Sequence, residues 1–435
     1  MSYIEAILKR AKSKADSAEV FHLKTEEAAC AWNGNKLKIA EAKETMGVAI
    51  RVIIGGKTGF FASNKLDDPD KIVDTACELA PFGFEFAGEF PKSYKPAKVD
   101  IYNAPTAEVG VIELADCGNR AIAKINQAKP EAIFESKLER EVVQVVIANT
   151  HGARTEYRKS VFSGFLYGSV TKEGDVLSLY EFDNSSVFEN QPDAWADVII
   201  EKFRDASNIV DLPTGEYTCV VTPKAAGFFG PLNMAMNARS VLKDMSPFKG
   251  KIGEQVFDER ISLVDDGHLS KMPSSQPVDD EGVTTGRTGL IDKGVLKGYI
   301  HDLHTAKKMG VAPTGNGMRY GLSSAPRVGY TTLMLSPGKR TLKQMISGIK
   351  KGIIVDQIMG AHQASPFSGD FSVSVDLGFV VEDGKIIGRF KNGMLSGSVF
   401  RMLKDQLVEI GSEAQLTGLL IPPVVYEKMS VSTGS

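Results

Sequence analysis

Gly47-Val-Ala-Ile-Arg-Val-Ile-Ile-Gly-Gly-Lys-Thr-Gly-Phe60 decides how the first part of this chain folds. The run Val48 to Ile54 is rich in β-branched residues, which fit the pleated surface of a strand. Gly55-Gly56 supplies two residues that tolerate positive φ, the requirement of a tight hairpin turn. Gly59-Phe60-Phe61 then returns the chain as a second strand. Upstream, Val20 to Leu23 and Ala28 to Trp32 are short apolar runs that also read as strands. Downstream, Asp68 is placed to cap a helix whose first turn accepts Pro69. Ile72, Val73, Ala76, Leu79 and Ala80 make its apolar stripe. At the start of the chain, Ser2 and Glu5 stand three apart as in a capping box. Ile4, Ile7, Leu8 and Ala11 follow with helical spacing, so residues 3–14 are expected to pack as an amphipathic helix on this unit.

The same reading extends along the 435 residues. Prolines at 81, 91, 96 and 105 mark a long connection. Val109 to Ile125 is helical in pattern, and Ala132 to Tyr180 alternates like successive antiparallel strands. Turns fall at Asn149–Gly152 and Glu173–Asp175, and a helix is expected over 193–206. Pro213 and Gly215 mark the next boundary. Beyond it, Asp265-Asp-Gly267, Asp292-Lys-Gly294 and Asp383-Gly384 interrupt β-like runs, as hairpins require. Phe371 to Asp376 alternates cleanly, so one face of that strand is wet. Short helices are expected at 302–309, stopping at Gly310, and at 341–351 and 397–409. The fold class is therefore α+β: N-terminal α/β units with antiparallel hairpins, then a mostly antiparallel β domain with a few helices. The expected units are 1–95, 105–210 (able to pack with the first as one) and 213–435.

Composition excludes several functions. The formal net charge is −3, with 43% hydrophobic and 24% charged residues. That is an ordinary soluble balance, without the basic surface of a nucleic-acid binder. No run of about 18 apolar residues suggests a membrane span, and the first residues have no apolar stretch of the signal-peptide kind. The four cysteines, Cys30, Cys77, Cys117 and Cys219, form no Cys-x-x-Cys pair and are expected as reduced, mostly buried thiols in the cytoplasm.

Catalytic motifs are equally scarce. The six histidines are His22, His151, His268, His301, His304 and His362, and none is followed by glutamate. Only His301 and His304 lie close together. Their spacing puts both on one helix face, so they are the candidate metal pair, although no third ligand is specified nearby. The competing reading is a polar helix start. Gly56-Lys57-Thr58 has Arg51 where a phosphate loop needs glycine, so it reads as a turn. Gly315-Asn-Gly317 has the wrong spacing for a dinucleotide fingerprint.

Several motifs in order resemble one family. They are the Gly47–Phe60 hairpin, Asp279-Asp-Glu-Gly282, Gly294-Val-Leu-Lys-Gly-Tyr299, Ala306-Lys-Lys-Met-Gly310, Pro313-Thr-Gly-Asn-Gly317, Ser368-Gly-Asp-Phe-Ser372 and Glu382-Asp-Gly-Lys385. Together they resemble the TldD/PmbA family over essentially the full length. The resemblance implies a cytoplasmic metallopeptidase system, once described as a modulator of DNA gyrase. In it a TldD subunit carries a His-Glu-x-x-x-His zinc helix and a distant cysteine, and a PmbA/TldE subunit lacks them. The pair degrades or matures unfolded peptides. The zinc helix would fall on Lys224–Ala235, which contains no histidine, glutamate, aspartate or cysteine, and no cysteine follows Gly411. Ala225-Ala226 and Ser246-Pro247-Phe248 are similar to the PmbA/TldE branch.

The resemblance thus implies a subunit without its own cofactor, with zinc in a TldD-like partner. That partner would form a heterodimer with this chain, a homodimer being the other arrangement. No direct nucleic-acid or membrane contact is expected. Asn316, Gly317, Ser368, Gly369 and Asp370 are the candidate peptide-binding residues, with turn formation as the competing role. Two other readings keep the same fold: an independent metallopeptidase with an unorthodox metal at His301 and His304, and a metal-free modulator of gyrase or of a toxin–antitoxin system.

Overall fold

A computed structural model describes residues 3–434. Its first sheet is built from β1 (Ser17–Asn33), β2 (Lys36–Ile54), β3 (Lys57–Ser63), β4 (Ile133–Asn149), β5 (Arg154–Lys172) and β6 (Asp175–Ser185). The strands lie in the order β3-β2-β1-β4-β5-β6, and every neighbour is antiparallel. A single sheet thus runs from residue 17 to residue 185, through both of the first two expected units. The apolar runs at 20–23 and 28–32 are not two strands but the ends of one 17-residue strand. The polar stretch between them, Lys24 to Glu27, is ladder-paired to β2 and β4 along its whole length. Charged side chains there pair across the ladder, Lys24 with Glu44 at 3.0 Å and Glu27 with Lys43 at 2.8 Å.

The Gly55-Gly56 turn forms as expected, with φ of 56° and 74°. Gly59 has a second use: a Cβ there would lie 1.9 Å from the Ala76 carbonyl oxygen, so its absence lets the Pro69–Leu79 helix lie directly on β3. Asp68 caps that helix by accepting from the Lys71 amide at 2.9 Å. Leu79, read as part of its stripe, is exposed. The first helix spans Tyr3–Lys12 and buries Ile4, Ile7 and Ala11. Ser2, the expected start of its capping box, lies outside the described residues. Helices Val111–Ala128 and Gln191–Asp205 pack against each other and cover the sheet.

Beyond residue 213 the architecture is mostly antiparallel β, so the chain as a whole is α+β. A seven-stranded sheet contains Gly215–Val221, Lys351–Met359, Asp370–Glu382, Lys385–Phe390, Gly393–Ser398, Leu407–Ile410 and Val424–Thr433. Within it Gly215–Val221 and Lys351–Met359 run parallel. Phe371, Val373 and Val375 are buried while Ser372 is exposed, as the alternation predicts. The expected helices are shorter than their patterns: Leu303–Met309, Leu342–Ser347 and Val399–Asp405. Gly310 closes the first of them in the left-handed region, with φ of 68°. Among the described residues no helix is long and apolar enough to cross a membrane. Cys30, Cys117 and Cys219 are buried and Cys77 half-buried, all as free thiols.

Two of the contact sets that join the N-terminal sheet to the β-rich part fix how they dock. One is apolar: Trp32, Phe134 and Leu179 share a core with Val220, Ile354 and Phe379. The other is ionic. Glu19 and Arg51 face each other across β1 and β2. Arg51 donates to Glu19 at 3.2 Å and to Glu281 at 2.7 Å, and Arg319 donates to Glu19 at 2.9 Å. All four side chains are buried. Burial pushes the Glu281 carboxyl up to about 7, against the opposing pull of Arg51. Its second oxygen accepts from the Leu303 amide at 2.8 Å.

Gly118 tests the fit of helix on sheet. Alanine ordinarily favours a helix over glycine by about 1 kcal/mol. Here the added Cβ would meet the Trp32 ring at 2.3 Å, and that ring is held by a bond from Nε1 to Asn119. Overpacking costs about 1–3 kcal/mol and wins. Gly118→Ala should therefore lower the urea midpoint; a raised midpoint would contradict the packing described.

Candidate functional site

A cleft of about 960 Å³ lies between the N-terminal sheet and the β-rich part. One wall carries Leu23, Val143, Val161 and Phe182; the other carries Ser274, Leu416 and Thr417. The Thr417 hydroxyl oxygen is buried without a hydrogen-bond partner. Lys159 of β5 reaches into the cleft and donates to the Pro273 carbonyl at 3.0 Å. Burial lowers its pKa, opposed by Asp280 and Glu141.

Lys224 lines the same cleft, and its place follows from the chain path. Strand Gly215–Val221 ends beside Val355 of its parallel neighbour. Thr222 then bonds to Val355 and Asp356, and residues Pro223–Phe229 turn as a 3₁₀ helix. Ala225, Ala226, Phe228 and Phe229 go into the core, with Phe228 stacked on Phe371 at 4.3 Å. Lys224 alone turns back toward the N-terminal sheet. Its ammonium lies 2.7 Å from Glu181, 3.3 Å from Asp356 and 2.9 Å from the Tyr180 carbonyl oxygen, with 4% of the side chain exposed. Lys202 of the Gln191–Asp205 helix completes the group at 3.1 Å from Glu181 and 2.7 Å from Asp356. Two ammonium groups and two carboxylates thus neutralise each other. Burial opposes ionisation of Asp356, but Lys202 and Lys224 outweigh it and hold the carboxyl at about 2.

The residues expected to contact peptide are placed differently. Asn316 is fully buried. Its side-chain amide donates to Asp265 at 2.6 Å and to the Gly329 carbonyl at 2.9 Å, and accepts from Thr314 at 2.6 Å. The Gly317 amide donates to Asp279 at 2.7 Å, and a Cβ there would strike Glu281 at 2.5 Å. Both are committed to the scaffold. Ser368, Gly369 and Asp370 belong to the other sheet, in the turn that opens strand Asp370–Glu382. Gly369 adopts φ of 71° and is buried beneath Phe400, whereas Ser368 and Asp370 are exposed. None of the five lines the cleft.

His301 and His304 stand at the start of the Leu303–Met309 helix, each in its own surroundings. His301 is buried with Nδ1 unpartnered; the His304 Nδ1 accepts from the Ala87 amide at 3.1 Å. Burial lowers the pKa of both. Among the described residues, the one group of three metal-type ligands is Glu27, Glu139 and Glu141. Two of these are already paired, with Lys43 and Lys137. Lys224, Lys202, Glu181 and Asp356 drew no attention in the sequence, where 175 positions separate the outer two (356 minus 181). The short segment without metal ligands was its only signal.

The comparisons agree with this architecture. The profile of the PmbA/TldA metallopeptidase C-terminal domain matches residues 214–433, and that of domain 1 matches residues 18–80. The chain belongs to the TldD/PmbA family of metallopeptidase-like proteins. It is 28% identical to an uncharacterised protein of Methanocaldococcus jannaschii over 98% of both chains. It is 26% identical to a metalloprotease of the same organism, covering 82% of this chain and 81% of that one. The fold superposes on TldE from Thermococcus kodakarensis with a TM-score of 0.92 over the full length of both, at 23% identity. It also superposes on a Thermotoga maritima protein described as a candidate modulator of a DNA gyrase, with a TM-score of 0.90 and 25% identity over 99% of both chains.

Two substitutions check these assignments. Asp356→Asn leaves the two ammonium groups with one carboxylate, and breaking such a buried pair costs about 3–5 kcal/mol. In the wild type the folded carboxyl, at about 2, lies below its unfolded value of 3.8. Its stabilisation is therefore complete above pH about 4 and fades as pH falls toward 2. Urea denaturation should show lower stability for Asp356→Asn at pH 7 and a shallower loss between pH 4 and 2. Asn316→Ala leaves Asp265 and the Gly329 carbonyl short of a donor. It should cost about 1–3 kcal/mol of stability, read as a lower thermal midpoint. An unchanged midpoint would return Asn316 to the candidates for peptide contact.

Proposed function

We propose that this chain is the PmbA/TldE-like subunit of a cytoplasmic TldD/TldE-type metallopeptidase, holding unfolded peptide while a TldD-like partner supplies the zinc. The observation that carries this reading is the environment of Lys224. The expected zinc helix falls on a segment whose one ionisable side chain is an ammonium, already saturated by Glu181 and Asp356. The rest of that segment is alanine, phenylalanine and other residues without a thiolate, imidazole or carboxylate, mostly buried. Zinc prefers thiolate, imidazole and carboxylate donors, and a fixed cation beside it would repel it. This donor set does not fit the metal.

What the chain supplies instead is a binding surface. The cleft, of about 960 Å³, offers a peptide apolar side chains on the sheet wall and the Lys159 ammonium and Thr417 hydroxyl as polar contacts. Such contacts hold a peptide with little demand on its sequence. Without a metal to lower the pKa of a water, general-base help alone is worth about 10²–10⁴-fold, far short of peptide hydrolysis. Against a metal at His301 and His304 stand the Ala87 amide on the His304 Nδ1 and, among the described residues, the lack of a third ligand grouped with them.

The test uses the purified full chain, zinc analysis and an unstructured peptide, with and without a TldD-like protein. Cleavage is expected only in the mixture. Stoichiometric zinc together with chelator-sensitive cleavage by the lone chain would overturn the proposal.

A further inference from the structure

Away from the cleft, three cations converge without a carboxylate. Arg239 and Lys243 lie four apart along and just beyond the Ala238–Leu242 helix, and Arg327 comes from the short strand Arg327–Val328. Together with Ser240 and Tyr320 they line a concavity of about 330 Å³ that has no acidic wall residue. Among the described residues none of the three side chains takes part in an ion pair or hydrogen bond. Arg327 instead stacks on the Tyr320 ring at 4.2 Å, which leaves its in-plane donors free. Asp244, next in sequence, is occupied by Lys249. The chain carries 54 acidic residues against 51 basic ones, so acids are not in short supply. Three like charges brought together from two elements repel one another, and an incoming anion would relieve that repulsion.

The same three side chains also border a second concavity of about 560 Å³. Phe84, Phe86, Leu242 and Pro326 give it apolar walls, and Phe84 is 84% exposed. Its acids are engaged elsewhere: Glu85 by Lys308, Glu281 by Arg51, and Asp302 as the cap of the Leu303–Met309 helix. An anionic head beside an apolar body therefore matches the two concavities side by side.

We infer that Arg239, Lys243 and Arg327 form a second binding site, one that takes the free C-terminal carboxylate of a peptide ending in an apolar or aromatic residue. The terminal carboxylate sits among the three cations, and the last side chain lies against Phe84, Phe86 and Leu242. A small concavity without acids, flanked by a larger one that carries Glu85, Glu281 and Asp302, suits one carboxylate better than a run of phosphates along a nucleic acid. The site stands on its own residues and does not depend on the reading of the cleft.

Calorimetric titration of the full chain tests it with four probes: an N-acetylated tetrapeptide acid ending in Phe, its C-terminal amide, the same acid ending in Gly, and a short DNA duplex. The Phe acid should bind, and both the amide and the Gly acid more weakly. Losing a charge-assisted bond is worth about 10-fold or more, so the amide should weaken by at least that factor. Arg239→Ala/Arg327→Ala should weaken the acid similarly, and Arg239→Lys/Arg327→Lys should retain part of the binding. All three side chains are exposed, and an unchanged circular dichroism spectrum confirms that a variant is folded. Equal affinity for acid and amide would overturn the site, as would duplex binding that the Arg variants abolish. If Lys159→Ala removes peptide binding and the Arg variants do not, the peptide lies in the cleft; this site then fails while the functional reading stands.

Discussion

The buried exchange between Arg51, Glu19, Glu281 and Arg319 is the constraint on which the arrangement of the two halves depends. Each guanidinium lies in a place water barely reaches and is tolerable only because carboxylates from the other segment meet it. Glu19 and Arg51 are fixed by their pairing across β1 and β2. Glu281 and Arg319 can meet them only if the β-rich part docks in one position. Glu281 also holds the Leu303 amide, so the same carboxylate orients the helix at whose start His301 and His304 stand. The cleft and its Lys224 cluster exist because that docking leaves β5 and β6 facing strand Lys351–Met359. Gln357 confirms the seam, bonding to both Tyr180 and Ser178 of β6.

Much of the fold was legible because local rules act over short distances. The glycine pair at 55–56, the Asp68 cap, the alternation of Phe371–Asp376 and the stop at Gly310 each need only a few neighbouring residues. The errors came where a distant partner decides. Lys24 to Glu27 looks like a break between strands, yet β2 and β4 hold it extended on both sides. Residues 348–351 continue a helical pattern, but the helix ends at Ser347 and Lys351 enters a strand ladder with Glu382. Leu79 fits the stripe of its helix and still faces water, because the chain turns into a 3₁₀ segment at Ala80.

The candidate site was legible mainly as a silence. The ordered motifs pointed to the family, and the stretch after Pro223 stood out for holding no histidine, glutamate, aspartate or cysteine. Neither could show what stands there instead, because Glu181, Lys202 and Asp356 belong to three separate elements. Motif residues such as Asn316 and Gly317 have a scaffold role that accounts for their place in the motif order. Their side chain and backbone tie Asp265 and Asp279 into the scaffold, which is a demand as strict as binding.

The Lys224 cluster also limits how this position can change. Replacing the lysine alone leaves Glu181 and Asp356 to share the charge of Lys202. Replacing either carboxylate alone leaves an ammonium in surplus. A metal-ligating side chain at this point therefore cannot arrive by one substitution without passing through a less stable protein. The local backbone adds a second barrier, since a 3₁₀ turn spaces side chains differently from the α-helix on which ligands one turn apart would align. Gaining such a ligand set would require several coordinated changes, so the fold itself acts as a ratchet that keeps this segment in its present chemistry.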